Sequence, residues 1–367
     1  MISTILMLFP GSVNRKNRKF CTKEGENLRR VLCVSFLLLL CQFSVPLLFL
    51  IGKPSAGAVP EVSELPSAQS SPEASFDAAA PKDAAVSVRV LMDDGSVVPM
   101  TLSAYLRGVV AAEMPASFDE EALRAQAVVA RSYTYYRIAH PRAAHPDADV
   151  CTDSSCCSAY VTPEESAARW GESSSLYAEK IAAAVSDTDG EILLYDGAVA
   201  ETLFHAASSG YTEDAAAVWG TAVPYLVSVP SPEGEADVPN YYAAVSVSFA
   251  DFRSTLATAG LGSSLGSDPG TWFGEITRSA AGKVLTVDIG GAVLSGGAVR
   301  RLFSLRSTDF TVEVTGDAVV FHTVGYGHGV GMSQYGANVL AEEGKSYGEI
   351  LAWYYTGTTL GQAPDRS

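Results

Sequence analysis

Basic side chains are scarce: 25 Lys and Arg stand against 41 Asp and Glu in 367 residues, a formal net charge of −16. Seven of the 25 lie in the first 30 residues (Arg15, Lys16, Arg18, Lys19, Lys23, Arg29 and Arg30) beside only Glu24 and Glu26, so the rest of the chain carries 18 basic and 39 acidic residues. Affinity for nucleic acid or anionic lipid comes from Lys and Arg neutralising phosphates, and so acidic a remainder argues against both as partners. The dinucleotide fingerprint G-x-G-x-x-G is missing, since GYGHGVGMSQYGA repeats glycine at every second position instead. H-E-x-x-H does not occur, so a zinc hydrolase of that type has no signature here. Neither G-x-S-x-G nor S-x-x-K frames the serines that follow His205 in TLFHAASSGYTED, which leaves a serine-hydrolase reading weak. No internal repeat is visible, so a solenoid is not indicated.

One uncharged run stands out, VLCVSFLLLLCQFSVPLLFLI from Val31 to Ile51, long enough for a helix to cross a bilayer core. The basic flank before it places residues 1–30 in the cytoplasm and everything after Ile51 outside. A cleaved signal peptide is the alternative, although an h-region is usually shorter. Residues 52–84 are rich in Pro, Ala, Ser and Glu with little to bury, and read as a flexible spacer. Residues 85–361 then form the extracytoplasmic domain.

In that domain VSVRVLM and VVPMTL alternate around Asp93-Asp94-Gly95, which predicts a hairpin. Helices are expected from Leu102 to Met114, stopped by Pro115, from about Asp119 to Ile138, and from Ser174 to Val185. Later pieces read as helices at Phe249 to Ala259, Ala298 to Leu305 and Tyr347 to Tyr354, and as strands at Glu191 to Tyr195, Val199 to His205, Val284 to Ile289, Phe310 to Val314 and Val319 to Val324. Helices and strands mix without a βαβ period, so the expected class is α+β, with short, mostly antiparallel strands around a substrate groove.

Tyr105, Val109 and Glu113 fall at i, i+4 and i+8 in TLSAYLRGVVAAEMP, which puts a carboxylate on an apolar helical stripe. Burial disfavours the charged form and raises such a carboxyl towards the range of a general acid near neutral pH. The plainer alternative is a helix-end Glu that escapes to solvent or pairs with an arginine.

Three stretches carry a family resemblance: YLRGVVAAEMPASFDEEALRAQAVVARSYTYY, TEDAAAVWG with PYLVSV, and GYGHGVGMSQYGANVLAEEGKSYGEILAWYYTGT. Together, in this order, they resemble the stage II sporulation protein D family over nearly all of residues 86–359. The resemblance implies that Glu113, in AAEMP, is the catalytic acid/base of a lytic transglycosylase. Such an enzyme cleaves peptidoglycan glycan strands, stripped of stem peptides, to anhydro-muramic ends. It also implies a single-pass protein of the cell membrane that remodels septal wall during spore engulfment, beside an amidase and membrane engulfment proteins. Because related proteins are amidase enhancers, a non-catalytic wall-binding stimulator of an amidase is the alternative.

Gln126 and Arg131 lie in the segment matching the family's AQAVAAR-like motif; Gln126 is expected to hydrogen-bond sugar hydroxyls or acetamido groups, and Arg131 to hold a lactyl carboxylate or Glu113. Both could instead serve helix packing. The glycine-rich block frees its backbone for close approach and presents His328, Ser333, Gln334 and Tyr335 at one edge. A buried core histidine is the other reading of His328. By resemblance His205 lines the same groove.

Cys151, Cys156 and Cys157 cluster in HPDADVCTDSSCCSAY. His145, Cys151 and Cys157 could hold zinc with a fourth position open, and a disulfide from Cys151 to one of the adjacent pair, or free thiols, are the alternatives. The sequence departs from the family at Cys156 and Ser158, where His and Gln are usual.

Overall fold

The computed structural model describes residues 82–261 and 265–364. The expected cytoplasmic segment, anchor and almost all of the spacer lie outside the described residues. Among the described residues no helix is long and apolar enough to cross a membrane.

The chain enters at a helical turn, α1 (Lys82–Ala85), and the hairpin β1 (Ser87–Leu91) and β2 (Val97–Thr101) pairs antiparallel as its alternation predicts. Helices α2 (Leu102–Glu113) and α3 (Glu120–Ala139) follow. Next come β3 (Val150–Cys151), which pairs parallel with β1, then α4 (Pro163–Trp170) and α5 (Ser174–Asp187). Helix α4, which periodicity alone does not predict, opens on a capping box between Thr162 and Glu165 with Pro163 at its start.

Helix α3 is the axis of the first core. Helices α2 and α5 pack on it, as do β4 (Glu191–Tyr195) and two late helices, α9 (Gln334–Glu342) and α10 (Tyr347–Tyr354). Fourteen of its 20 residues are buried, polar ones among them. The expected strand from Val199 to His205 is two short pieces, β5 (Ala198–Val199) and β6 (Phe204–His205). The chain leaves the sheet after β5, and β6 pairs in parallel with β13 (Met332–Ser333) from a distant part of the sequence.

A second core lies in residues 242–324. One antiparallel sheet has the order β11 (Phe310–Val314), β12 (Ala318–Val324), β7 (Tyr242–Ser248), and another has β10 (Ala292–Ser295), β9 (Val284–Ile289), β8 (Phe273–Arg278). Helices α7 (Phe249–Thr258) and α8 (Gly296–Leu302) pack on these sheets, and α6 (Ala215–Trp219) precedes them. Phe252 is fully buried, stacked on Trp272 at 5.4 Å and on Phe303 at 4.9 Å between ring centroids. Each such pair contributes about 0.5–1.5 kcal/mol beyond its burial. The architecture is α+β with short strands, mostly antiparallel.

Candidate active site

Thr101 caps α2 by accepting the Ala104 N–H, and Met114 turns extended ahead of Pro115, so the helix ends on Glu113. Tyr105 and Val109 are fully buried below it. Glu113 ends this stripe, mostly covered but with an exposed edge. The Ala159 N–H donates to Glu113 Oε1 at 2.6 Å, and the Gln334 side chain is a second polar group that favours the ionised carboxyl. Burial pushes the carboxyl up from 4.5 to about 7, against the pull of those two groups towards the ionised form. Arg107, the arginine of the same helix, is exposed.

Ala159 reaches Glu113 because residue 108 is glycine. A Cβ there would lie 2.2 Å from the Tyr160 ring and 2.7 Å from the Val161 carbonyl oxygen, closer than packed atoms approach. The strap of residues 158–161 therefore crosses directly on α2, and the Val161 N–H donates to the Gly108 carbonyl at 3.3 Å.

Gln334 stands at the first position of α9, whose N-cap is Ser333. The turn between α2 and α3 holds it close to Glu113: Phe118 meets Tyr335 edge-on at 4.9 Å, and Asn338 Oδ1 accepts the Asp119 N–H at 2.8 Å. Gln334 Nε2 also donates to Gln126 Oε1 at 3.4 Å. Gln126 is 0% exposed, so it faces Gln334 and not a sugar in the groove.

Arg131 is also 0% exposed and lies away from Glu113. Its guanidinium forks onto Asp83 at 2.7–3.0 Å and donates to the Val185 and Glu191 carbonyls. The expected contact with a lactyl carboxylate or with Glu113 is replaced by a clamp between α3 and the first turn of the domain. The packing of α5 and β4 on this part of α3 leaves Arg131 no route to solvent.

The loop 325–331 carries Gly325, Gly327, Gly329 and Gly331 at positive φ. At Gly331 a Cβ would fall 2.0 Å from the Leu203 carbonyl oxygen, and at Gly327 it would fall 2.7 Å from the His205 Cβ. Only glycine lets this loop lie against β6. His205 Nε2 meets Ser208 Oγ at 2.7 Å and its Nδ1 faces the Val330 carbonyl at 3.3 Å. The His328 ring lies 5.8 Å from that of His205 and 5.5 Å from Trp219, which is half exposed. Burial depresses both histidines, His328 to about 4, so both are neutral at physiological pH. Ser333 Oγ donates to Glu233 Oε1 at 2.5 Å; the same buried carboxylate accepts from the Ser208 N–H and Ser231 Oγ. Sequence reasoning missed Glu233, for which PSPEGE offers no motif, and Trp219, although it stands inside TEDAAAVWG.

A second cluster lies in the loop that leads into the Ala159 strap. His145, Cys151, Cys156 and Cys157 bring their ligand atoms within 4.8 Å of one another. The His145 Nδ1 faces the Ala148 carbonyl at 3.2 Å, which leaves Nε2 towards Cys157 Sγ at 3.3 Å. Hydrogen bonding from Cys151 holds the Cys157 thiol down at about 5 while Cys151 itself is pushed up. Three thiols and an imidazole with its outer nitrogen engaged suit a tetrahedral zinc. Cys156 is a fourth potential ligand, beyond the three expected from the sequence. The buried Tyr105 hydroxyl, which has no hydrogen-bond partner among the described residues, interacts electrostatically with Cys157, Cys151 and Glu113.

Residues 94–195 match the sequence profile of the stage II sporulation protein family. The chain is 39% identical to stage II sporulation protein D of Bacillus subtilis over 270 residues, 73% of this chain and 76% of that protein. It is 37% identical to stage II sporulation protein D of Bacillus amyloliquefaciens, over 77% of this chain and 80% of the relative. The amidase enhancer of Bacillus subtilis is similar at 27% identity, over 70% of this chain and 40% of its own length. The chain thus belongs to the stage II sporulation protein D family.

Proposed function

We propose that this member of the family is a lytic transglycosylase that cleaves peptidoglycan glycan strands, with Glu113 as its single acid/base. The observation that carries this reading is a carboxyl on an exposed edge whose burial lifts it to about 7, so that it is part protonated at neutral pH. None of the groups that shift it is a second carboxylate. In the first step the Glu113 proton passes to the glycosidic oxygen as the C1–O bond breaks. The C6 hydroxyl of the muramic acid then attacks C1, and its proton returns to Glu113. Glu113 is regenerated, the products are a 1,6-anhydro end and a free 4-hydroxyl, and no water enters. The paired carboxylates of ordinary retaining and inverting hydrolases are therefore dispensable. The half-exposed Trp219, with His328 and Tyr335, offers stacking and hydrogen-bonding partners for the strand, while His205, buried with both ring nitrogens engaged, supports the loop behind them.

The family supports a role in septal wall remodelling during spore engulfment, with the domain outside the cell membrane on the anchor of residues 31–51. Zinc fits the His145, Cys151, Cys156 and Cys157 donors. Four protein ligands close a zinc site, and its chemistry is then structural, fixing the loop that continues into Ala159.

Mass spectrometry of fragments released from purified glycan strands by the full-length protein tests the activity. Anhydro ends are expected from the wild type and none from Glu113→Gln; reducing ends alone refute the reading. A second reading rests on the amidase enhancer among the relatives: a wall-binding protein that stimulates an amidase. In that case Glu113→Gln leaves glycan binding and amidase stimulation intact, and the wild type releases no anhydro ends.

A further inference from the structure

Gln126 presents an anomaly. Its side chain is wholly buried and, among the described residues, its Nε2 has no hydrogen-bond partner, while its Oε1 accepts from Gln334. A buried amide hydrogen left without an acceptor is unfavourable, and a leucine would fill this space on α3 without that loss. The amide's worth must therefore lie in what it does for its neighbour.

That neighbour is the side chain whose polar group favours the ionised form of Glu113. An amide has a donor end and an acceptor end, and a pair of amides can be joined in either sense. In the observed sense the Gln334 amide nitrogen is shared, with one N–H towards Gln126 Oε1 and the other available to the ionised Glu113. In the reverse sense Gln126 Nε2 donates to Gln334 Oε1, and that oxygen also accepts the O–H of protonated Glu113. The two senses join the same three side chains by bonds of the same kind, so neither amide fixes the direction. The protonation state of the carboxyl does.

We propose that Gln126 and Gln334 form an amide relay of positioning residues whose direction follows the protonation state of Glu113. The relay thereby keeps that one carboxyl hydrogen-bonded as an acid and as a base. It rests on the reading of Glu113 as the reacting group. No bond is made or broken within it, and the proton stays on Glu113 until the sugar takes it. A lone carboxyl that must donate and then accept within one turnover needs such a partner more than a carboxyl with a second acid beside it. The titratable group coupled to Glu113 is Tyr105 on its own helix, which is itself coupled to the thiols of Cys151 and Cys157; among the described residues no hydrogen bond joins any of these to either glutamine.

The test reads the amides directly, in full-length protein labelled with nitrogen-15 and with carbon-13 at the glutamate carboxyl. The Glu113 resonance is assigned by its loss in Glu113→Gln. From pH 4 to 9 the side-chain amide signals of Gln334 and Gln126 are expected to move with the midpoint of Glu113. The Gln126 transition should vanish in Glu113→Gln and in the near-isosteric Gln334→Met. A Gln126 amide that stays still while Glu113 titrates overturns the relay. In glycan cleavage Gln126→Met is expected to lower kcat by about tenfold with KM unchanged, the pattern of a contribution made only at the chemical step. Unchanged kcat overturns it as well. If Gln126→Met fails to fold, the nitrogen-15 titration of wild type against Gln334→Met decides alone. A wild type that releases no anhydro ends defeats the transglycosylase reading and leaves the amide titration to stand or fall separately.

Discussion

Glu113→Gln should make the protein more stable as well as inactive, and only on the alkaline side. The folded state holds the carboxyl at about 7 against an ordinary 4.5, so between those values the unfolded chain gives up a proton that the folded chain keeps. Stability then falls as pH rises through this window, and the loss is complete above about pH 8. A tenfold change in a proton-binding constant corresponds to about 1.36 kcal/mol, which over this interval gives about 3 kcal/mol. The exposed edge of Glu113 brings the expectation down to about 2–3 kcal/mol. Glutamine has nearly the same shape, stays neutral and can still accept the Ala159 N–H. Urea unfolding followed by tryptophan fluorescence should therefore show the variant ahead by about 2–3 kcal/mol at pH 8.5 and level at pH 4. An advantage equal at both pH values would trace to packing and not to ionisation, and no advantage at pH 8.5 would refute the claim that this carboxyl is held in a desolvated place.

The remaining expectations concern the supports of the site. Gly108→Ala pushes the 159–161 strap off α2 and breaks the Ala159 hydrogen bond, so it should cost about 1–3 kcal/mol and move the Glu113 midpoint upward by about one on the pH scale. Thermal melts and carbon-13 titration check the two effects, and a variant that titrates like wild type refutes the strap's role. Arg131→Met strands the buried Asp83 carboxylate and should cost about 3–5 kcal/mol, with part recovered in the double variant with Asp83→Asn. If Arg131 held glycan instead, the melt would stay put and KM would rise. His145→Ala is expected to reduce bound zinc from about one equivalent to a small fraction, as read by plasma mass spectrometry, with a lower melting temperature; protein purified without zinc and equally stable in chelator would remove the metal from the account.

Much of the frame could be read from local pattern. The hairpin around Asp93-Asp94-Gly95 and the stop of α2 before Pro115 follow from alternation and proline sterics, and they emerge within a residue or two of their expected bounds. The interleaving of helices with short strands likewise made the α+β class legible. What could not be read was the surroundings of α3. Its polar residues look like candidates for a groove when the helix is pictured with one wet face, yet tertiary packing covers Gln126, Arg131, Ser132 and Thr134 alike. Each then turns to an internal partner: Gln126 to Gln334, Arg131 to Asp83, Ser132 to the Val128 carbonyl and the Leu193 N–H, Thr134 to the Ala130 carbonyl. No periodicity distinguishes a helix wrapped by its own fold from one bordering a cleft.

The same limit explains why the acid's character was only half visible. The stripe of Tyr105, Val109 and Glu113 announces burial, but the groups that set what a buried carboxyl can do come from residues 159 and 334. Both arrive through glycines whose purpose shows only in three dimensions, Gly108 under the strap and Gly331 ahead of β13. The strap that donates Ala159 begins at the cysteines, two residues after Cys157. Loss of order in that loop therefore acts on Glu113 through position: the Ala159 N–H moves away and the ionised form loses a partner. The His145→Ala variant should accordingly move the Glu113 midpoint upward, in the same sense as Gly108→Ala, although neither side chain touches the carboxyl. A midpoint that falls instead would mean that the metal loop acts on the acid by its charge.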